Sequence, residues 1–134
     1  VQGSGFGPGY FKVIDAAKLS IIYSAATKGY PQGGFLLKEG DKANIYITYN
    51  NNPGGITMFT DSVGQTKAVS CDIFTPTGDM TGYCISSVIC DENGTLFYKN
   101  DSGYIFALRN KTQKVSFFKK IINAIAKFFK RLFG

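Results

Sequence analysis

From residue 10 to residue 108 apolar and polar side chains alternate in short runs, and each run is closed by Gly, Asn, Asp or Pro. A period of two is the signature of strands with one face buried, so the pattern predicts strands at residues 10–14, 20–23, 43–49, 56–60, 84–90, 95–99 and 104–108, with little helix between them. Asp91-Glu92-Asn93-Gly94 and Asn100-Asp101-Ser102-Gly103 have the composition of tight turns, which makes residues 83–109 a three-stranded meander; Asn50 to Gly55 plays the same part earlier. The period then changes. At 100° per residue, Phe117, Phe118, Ile121, Ile122, Ile125, Phe128, Phe129, Leu132 and Phe133 fall in one arc, and Lys119, Lys120, Asn123, Lys127, Lys130 and Arg131 fill the other. This predicts an amphipathic helix, capped by Ser116 and carrying Lys130 and Arg131 at its negative end. The expected fold class is mainly β, with blade-like antiparallel meander sheets (a partial propeller or a sandwich) in residues 1–110 and a basic amphipathic helix in residues 111–134.

Charge sharpens this division. Residues 111–134 carry seven of the fifteen Lys and Arg and none of the nine Asp and Glu, so residues 1–110 hold eight basic against nine acidic side chains, a net of −1. The surplus of +6 therefore belongs to the tail. A nucleic-acid-binding domain spreads its basic residues over a folded face, which the near-neutral body lacks, so no nucleic-acid partner is expected. Nine large apolar side chains, each worth roughly 1.5–3 kcal/mol when fully buried, give the tail a face that needs cover. Either it docks on β strands through Phe117, Phe118, Ile121, Ile122, Ile125, Phe128, Phe129 and Leu132, or it lies on a membrane with Lys119, Lys120, Lys127, Lys130 and Arg131 against anionic headgroups. Residues 1–5 carry neither an initiator Met nor a basic-then-apolar leader, the pattern of a processed or excised chain.

The body also aligns on itself. Gly9-Tyr-Phe-Lys-Val-Ile-Asp15-Ala-Ala-Lys-Leu-Ser-Ile-Ile-Tyr23 matches Gly55-Ile-Thr-Met-Phe-Thr-Asp61 and the eight residues that follow it, at an offset of 46; a third copy opens at Gly103-Tyr-Ile-Phe-Ala-Leu108, at 48. Offsets of that size mark one supersecondary unit per repeat. On these residues the chain resembles the quinoprotein-like (PQQ-like) β-propeller repeat, in which a Gly opens a strand ending near Asp-Ala and the next strand closes on an aromatic. Gly9, Asp15-Ala16 and Tyr23 carry the resemblance best, with Gly94-Thr-Leu-Phe-Tyr98 as a further strand opening. Tyr23 stands where that family has Trp, of which this chain has none. The resemblance implies sheets that stack on one another. It also implies partners that are other repeats of a parent protein or a second copy of the chain, and an extracellular or cell-surface location in bacteria. Fewer than three repeats fit, so a closed ring of four to eight blades is not expected of this chain alone.

Chemistry-bearing residues are sparse. There is no His, no recognisable nucleophile context and no paired carboxylates, which leaves acid–base and hydrolytic catalysis without their usual carriers; no catalytic residue, cofactor site or metal site is expected. The Asn- and Asp-rich turns lack the ligand spacing of a calcium loop, and Gly3-Ser-Gly-Phe-Gly-Pro-Gly9 lacks the Lys and helix of a phosphate-binding loop. Cys71, Cys84 and Cys90 are expected to be small buried thiols, with a disulfide to Cys71 as the alternative. The eight tyrosines are expected to pack mostly between layers.

Overall fold

The computed structural model describes residues 7–109, and the tail lies outside them. Nine strands follow one another: β1 (Tyr10–Asp15), β2 (Ser20–Ala26), β3 (Tyr30–Glu39), β4 (Lys42–Asn50), β5 (Gly55–Ser62), β6 (Val69–Phe74), β7 (Ile89–Cys90), β8 (Leu96–Lys99) and β9 (Ile105–Leu108), with one 3₁₀ turn at Gly78–Met80. Every pairing is antiparallel between sequence neighbours, giving a first sheet β1-β2, a central sheet β3-β4-β5-β6 and a third sheet β7-β8-β9. The mainly β, antiparallel character expected from the alternation is present. The predicted helix over residues 111–134 lies outside the described residues.

Register decides which side chains meet. Ile56 and Met58 of β5 share a face with Thr48 and Tyr46 of β4, while Thr57 and Phe59 share the other with Ile47 and Ile45. The first of these faces meets the third sheet: Ile56, Cys84, Val88, Leu96, Tyr98 and Phe106 form the main core, ringed by Phe35, Tyr46 and Phe74 among others. Tyr98 stacks on Phe106 at 4.8 Å, and the Phe74 ring meets both. The second face meets the first sheet, where Phe11 stacks on Phe59 at 4.4 Å between ring centroids. The central sheet is thus the middle layer of three, which is why both faces of β5 are buried and its sequence does not alternate cleanly.

Two elements differ from the expectation. Residues 84–90 do not form one strand: only Ile89–Cys90 pair with β8. The backbone before them is held by other groups, with Ser86 carbonyl oxygen accepting from the Thr48 hydroxyl at 2.6 Å, Ser86 Oγ donating to the Lys99 carbonyl at 2.7 Å, and Asp101 N–H donating to the Tyr83 carbonyl at 2.9 Å. Cys84 and Val88 turn into the core from this segment, so its apolar residues mimic a strand while following a loop. Conversely β3, with Pro31, Gly33 and Gly34 in its first half, is a full strand at the edge of the central sheet, where a missing N–H and missing side chains are tolerated. A Cβ on Gly34 would lie 2.1 Å from the Tyr46 carbonyl oxygen, so glycine is what lets β3 approach β4 there.

Candidate functional site

The residues that invited a ligand reading are consumed by turn geometry. Asp91 Oδ1 accepts from the N–H groups of Asn93 at 2.9 Å and Thr95 at 2.7 Å, and those bonds, the Thr95 backbone bond foremost, hold its carboxyl below the ordinary value. Arg109 adds to this from one step away, with Nε donating to Thr95 Oγ1 at 3.2 Å. Asn100 Oδ1 accepts from the Ser102 N–H, while its amide nitrogen donates to the Met80 carbonyl at 2.8 Å. Asp15 Oδ1 accepts from the N–H groups of Ala17 and Lys18. Among the described residues no three of His, Cys, Asp and Glu gather as a metal site would require.

A polar tie joins the first sheet to the central one. The Tyr23 hydroxyl donates to Asp61 and accepts from Gln65 Nε2 at 3.1 Å; the same amide donates to the carbonyls of Thr60 and Lys67, both at 2.8 Å. Burial, then the bond to Asp61 and its charge, push the Tyr23 phenol up to about 12. Lys28, just past β2, pairs with Asp72 of β6. The aromatic that closes the first repeat therefore packs between layers. The tyrosines as a group divide: Tyr23, Tyr49 and Tyr98 are buried and Tyr46 half-buried, while Tyr10, Tyr30, Tyr83 and Tyr104 are exposed, which corrects the expectation that most pack inside. The cysteines divide too. All three are free thiols; Cys84 is buried as expected and Cys90 is half-buried, but Cys71, opposite Met58 on the face that meets the third sheet, is exposed on the edge strand β6.

Among the described residues, large apolar side chains are exposed on the two outer sheets. On the outer face of the third sheet, Ile89 and Ile105 are exposed beside the half-buried Phe97. Tyr10, Ile14 and Ile21 are exposed on the outer face of the first. A cleft of about 840 Å³ opens between β3–β4 and the third sheet, lined by Leu37, Asn44, Tyr46, Leu96, Leu108 and Arg109 among others, and a shallower groove of about 390 Å³ runs over β3 and β4 on the side of the first sheet. Neither surface was legible from motifs, because both depend on which strands lie uncovered. The tail residues assigned to docking, Phe117, Phe118, Ile121, Ile122, Ile125, Phe128, Phe129 and Leu132, and to anionic contact, Lys119, Lys120, Lys127, Lys130 and Arg131, lie outside the described residues.

No protein-family model, curated protein or solved structure matches the chain. Its function has to be argued from these surfaces.

The two interlayer contacts differ in a way that bears on that argument. Counted from the glycine that opens each repeat, the first sheet meets the central one through Phe11, two residues after Gly9, and Phe59, four after Gly55. The central sheet meets the third through Ile56, one after Gly55, and Phe106, three after Gly103. Even positions meet even, and odd meet odd. Among the described residues no helix is long and apolar enough to cross a membrane.

Proposed function

We propose that the chain is a non-catalytic binding or structural module, built from PQQ-like β-propeller repeats and belonging to an extracellular or surface protein of bacteria. The observation that carries this reading is the pair of outward apolar faces on a stack of three sheets, Tyr10, Ile14 and Ile21 at one end and Ile89, Phe97 and Ile105 at the other. Contiguous exposed apolar surface on a folded domain marks a place where another layer belongs. The repeat supports it as well: β1-β2 and β5-β6 are glycine-opened hairpins at one offset, and β9 opens a third unit. In a ring of identical blades one face of each blade meets the opposite face of the next, so like-on-like contacts favour a sandwich-like stack over radial closure. The partners are accordingly further sheets, from other repeats or from a second copy.

Light scattering on the full chain tests this reading. Association that rises with concentration and falls in the Ile89→Lys, Ile105→Lys double variant is expected. A monodisperse monomer unchanged by those substitutions contradicts it.

A second reading rests on the tail, which carries seven basic and no acidic residues and whose sequence, laid on a helix, sets five of the basic residues opposite nine large apolar ones. In it the chain acts at a membrane, with the cationic face on anionic lipid. Tight binding of the full chain to anionic vesicles, lost in high salt, together with a melting temperature unaffected by removing residues 116–134, selects that reading. A truncated chain that melts lower or aggregates selects docking on the β body.

A further inference from the structure

On the side facing the first sheet, the central sheet is only half covered. Leu36, Ile45 and Phe59 form one cross-strand row there, from β3 through β4 to β5. Phe59, under the Phe11 ring, is 1% exposed; Ile45 is half-buried; Leu36 is 57% exposed. The next row repeats the gradient, with Thr57 buried, Ile47 half-buried and Gly34 exposed. Cover runs out at β4 because the first sheet has two strands and the central sheet has four. The residue is the shallow groove lined by Pro31, Gly34, Leu36, Ile45 and Ile47.

The first sheet also ends at this groove. Tyr23 of β2 bonds to Asp61 near the end of β5 and to Gln65 in the β5–β6 turn, and Lys28 just beyond β2 pairs with Asp72 of β6. β2 therefore leans toward β6, and β1 lies on the groove side, with one edge unpaired among the described residues. The repeat says what such an edge takes. β1-β2 corresponds to β5-β6 at an offset of 46, and the edge of β5 that corresponds to the open edge of β1 is occupied by β4, antiparallel.

We propose that the open edge of β1 and the groove beside it form a docking site for an extended strand of another polypeptide, with apolar side chains at alternate positions, added antiparallel to β1. This rests on the reading of the chain as a binding module and names its partner's chemistry. The backbone of the added strand takes the free N–H and C=O groups of β1, and its apolar residues continue the interlayer packing that Phe11 begins over Phe59. β4 itself supplies the template. Carried back by 46 residues, its register with β5 sets Ile45 opposite Val13, Ile47 opposite Phe11 and Tyr46 opposite Lys12. Phe11 and Val13 face the central sheet, so the two isoleucines of an added strand enter the groove over Leu36 and Ile47, while its tyrosine points outward beside Lys12 and Tyr10.

The probe is a synthetic peptide with the sequence of Lys42–Asn50, titrated into the isotopically labelled full chain and followed by amide chemical shifts and hydrogen exchange. Saturable binding is expected, with shifts confined to β1, β3 and β4 and slower exchange along β1. Affinity should fall by at least about tenfold for a peptide carrying Ile45→Asn and Ile47→Asn, and by a similar factor for a chain carrying Leu36→Lys at its exposed position. No saturable binding up to about 1 mM, equal binding of the substituted peptide, or shifts centred on β9 each overturn the proposal. If the peptide fails while the chain still associates through Ile89 and Ile105, the docking site is wrong and the binding-module reading stands. If both fail, both are wrong.

Discussion

Replacing Tyr23 by Phe removes one oxygen from the junction between the first and central sheets, and the consequences can be worked from its partners. The hydroxyl donates to the half-buried carboxylate of Asp61 and accepts from Gln65, so the variant loses a charge-assisted hydrogen bond while keeping the ring that packs in the layer. Hydrogen bonds to charged groups contribute about 1.5–3 kcal/mol; because water reaches Asp61 in part and replaces some of this, a loss of about 1–2 kcal/mol near pH 8 is expected. For a chain of this size that lowers the melting temperature by roughly 4–8 °C. A pH series separates this bond from a packing defect. In the folded protein the phenol holds its proton to about 12, whereas in the unfolded chain it gives it up near 10.0. The folded state binds more protons in that window, so the wild type loses stability as pH rises from about 10 to about 12, and the Phe variant lacks that loss. The separation of the two pKa values sets a ceiling near 2.7 kcal/mol, which partial solvation of the site reduces to about 1–1.5 kcal/mol. Urea denaturation of both proteins from pH 8 to pH 12 at 25 °C is the assay. The stability gap should be present at pH 8 and shrink toward zero by pH 12. No gap at pH 8, or a gap constant to pH 12, refutes the assignment of this hydroxyl as the interlayer tie.

Three further outcomes are expected. Ile56→Ala, at a position with no exposure in the main core, should cost about 3–4 kcal/mol by urea midpoint, and a loss below about 1.5 kcal/mol would place the core elsewhere. Tyr98→Phe should leave stability unchanged or raise it by up to about 1 kcal/mol, because the Tyr98 hydroxyl is buried without a hydrogen-bond partner among the described residues; a clear loss in the same denaturation assay would reveal one. In alkylation followed by mass spectrometry, Cys71 should react first and Cys84 only under denaturing conditions. Cys90, whose thiol is pushed up by burial and then by Asp91, should react slowly and faster as pH rises, and equal rates at all three would contradict the burial pattern.

Much of the fold was legible because β1, β2, β4, β8 and β9 each have one face toward a layer and one toward water or a thinner cover, which writes itself as alternation. The repeat located the hairpins β1-β2 and β5-β6 as well, although it reached only the first residue of β6, Val69. β3 was not legible. Its Pro31, Gly33 and Gly34 are turn residues by local chemistry, and only pairing with β4 makes them strand. The segment before β7 misled in the opposite sense, since Cys84 and Val88 are apolar for reasons of core packing and not of strand geometry. The surfaces were the least legible part. Leu36, Ile45 and Phe59 belong to three strands and become one row only in the folded sheet, so no spacing along the chain announces the groove. Nor does the sequence distinguish Cys71 from Cys84, because the difference is the thin cover over an edge strand against a loop that enters the core.

The first sheet is fastened differently from the rest, and this has a kinetic meaning. β3 to β6 and β7 to β9 are each joined by short connections within one sheet, so their contacts close small loops. β1 and β2 reach the body through pairs such as Phe11 with Phe59 and Tyr23 with Asp61, the latter 38 residues apart, and among the described residues the hairpin has no third strand. The contacts that dock the third sheet are as distant, Thr48 and Ser86 also being 38 residues apart, but they join sheets of three and four strands, whereas a two-stranded sheet is marginal by itself. The hairpin is thus expected to detach first in the native state, by an opening that leaves the other two sheets intact and that amide exchange along β1 and β2 would report. In each such opening Phe59 and its row come into contact with water, so the rate at which this hairpin lifts sets how often the middle layer of the protein is laid bare.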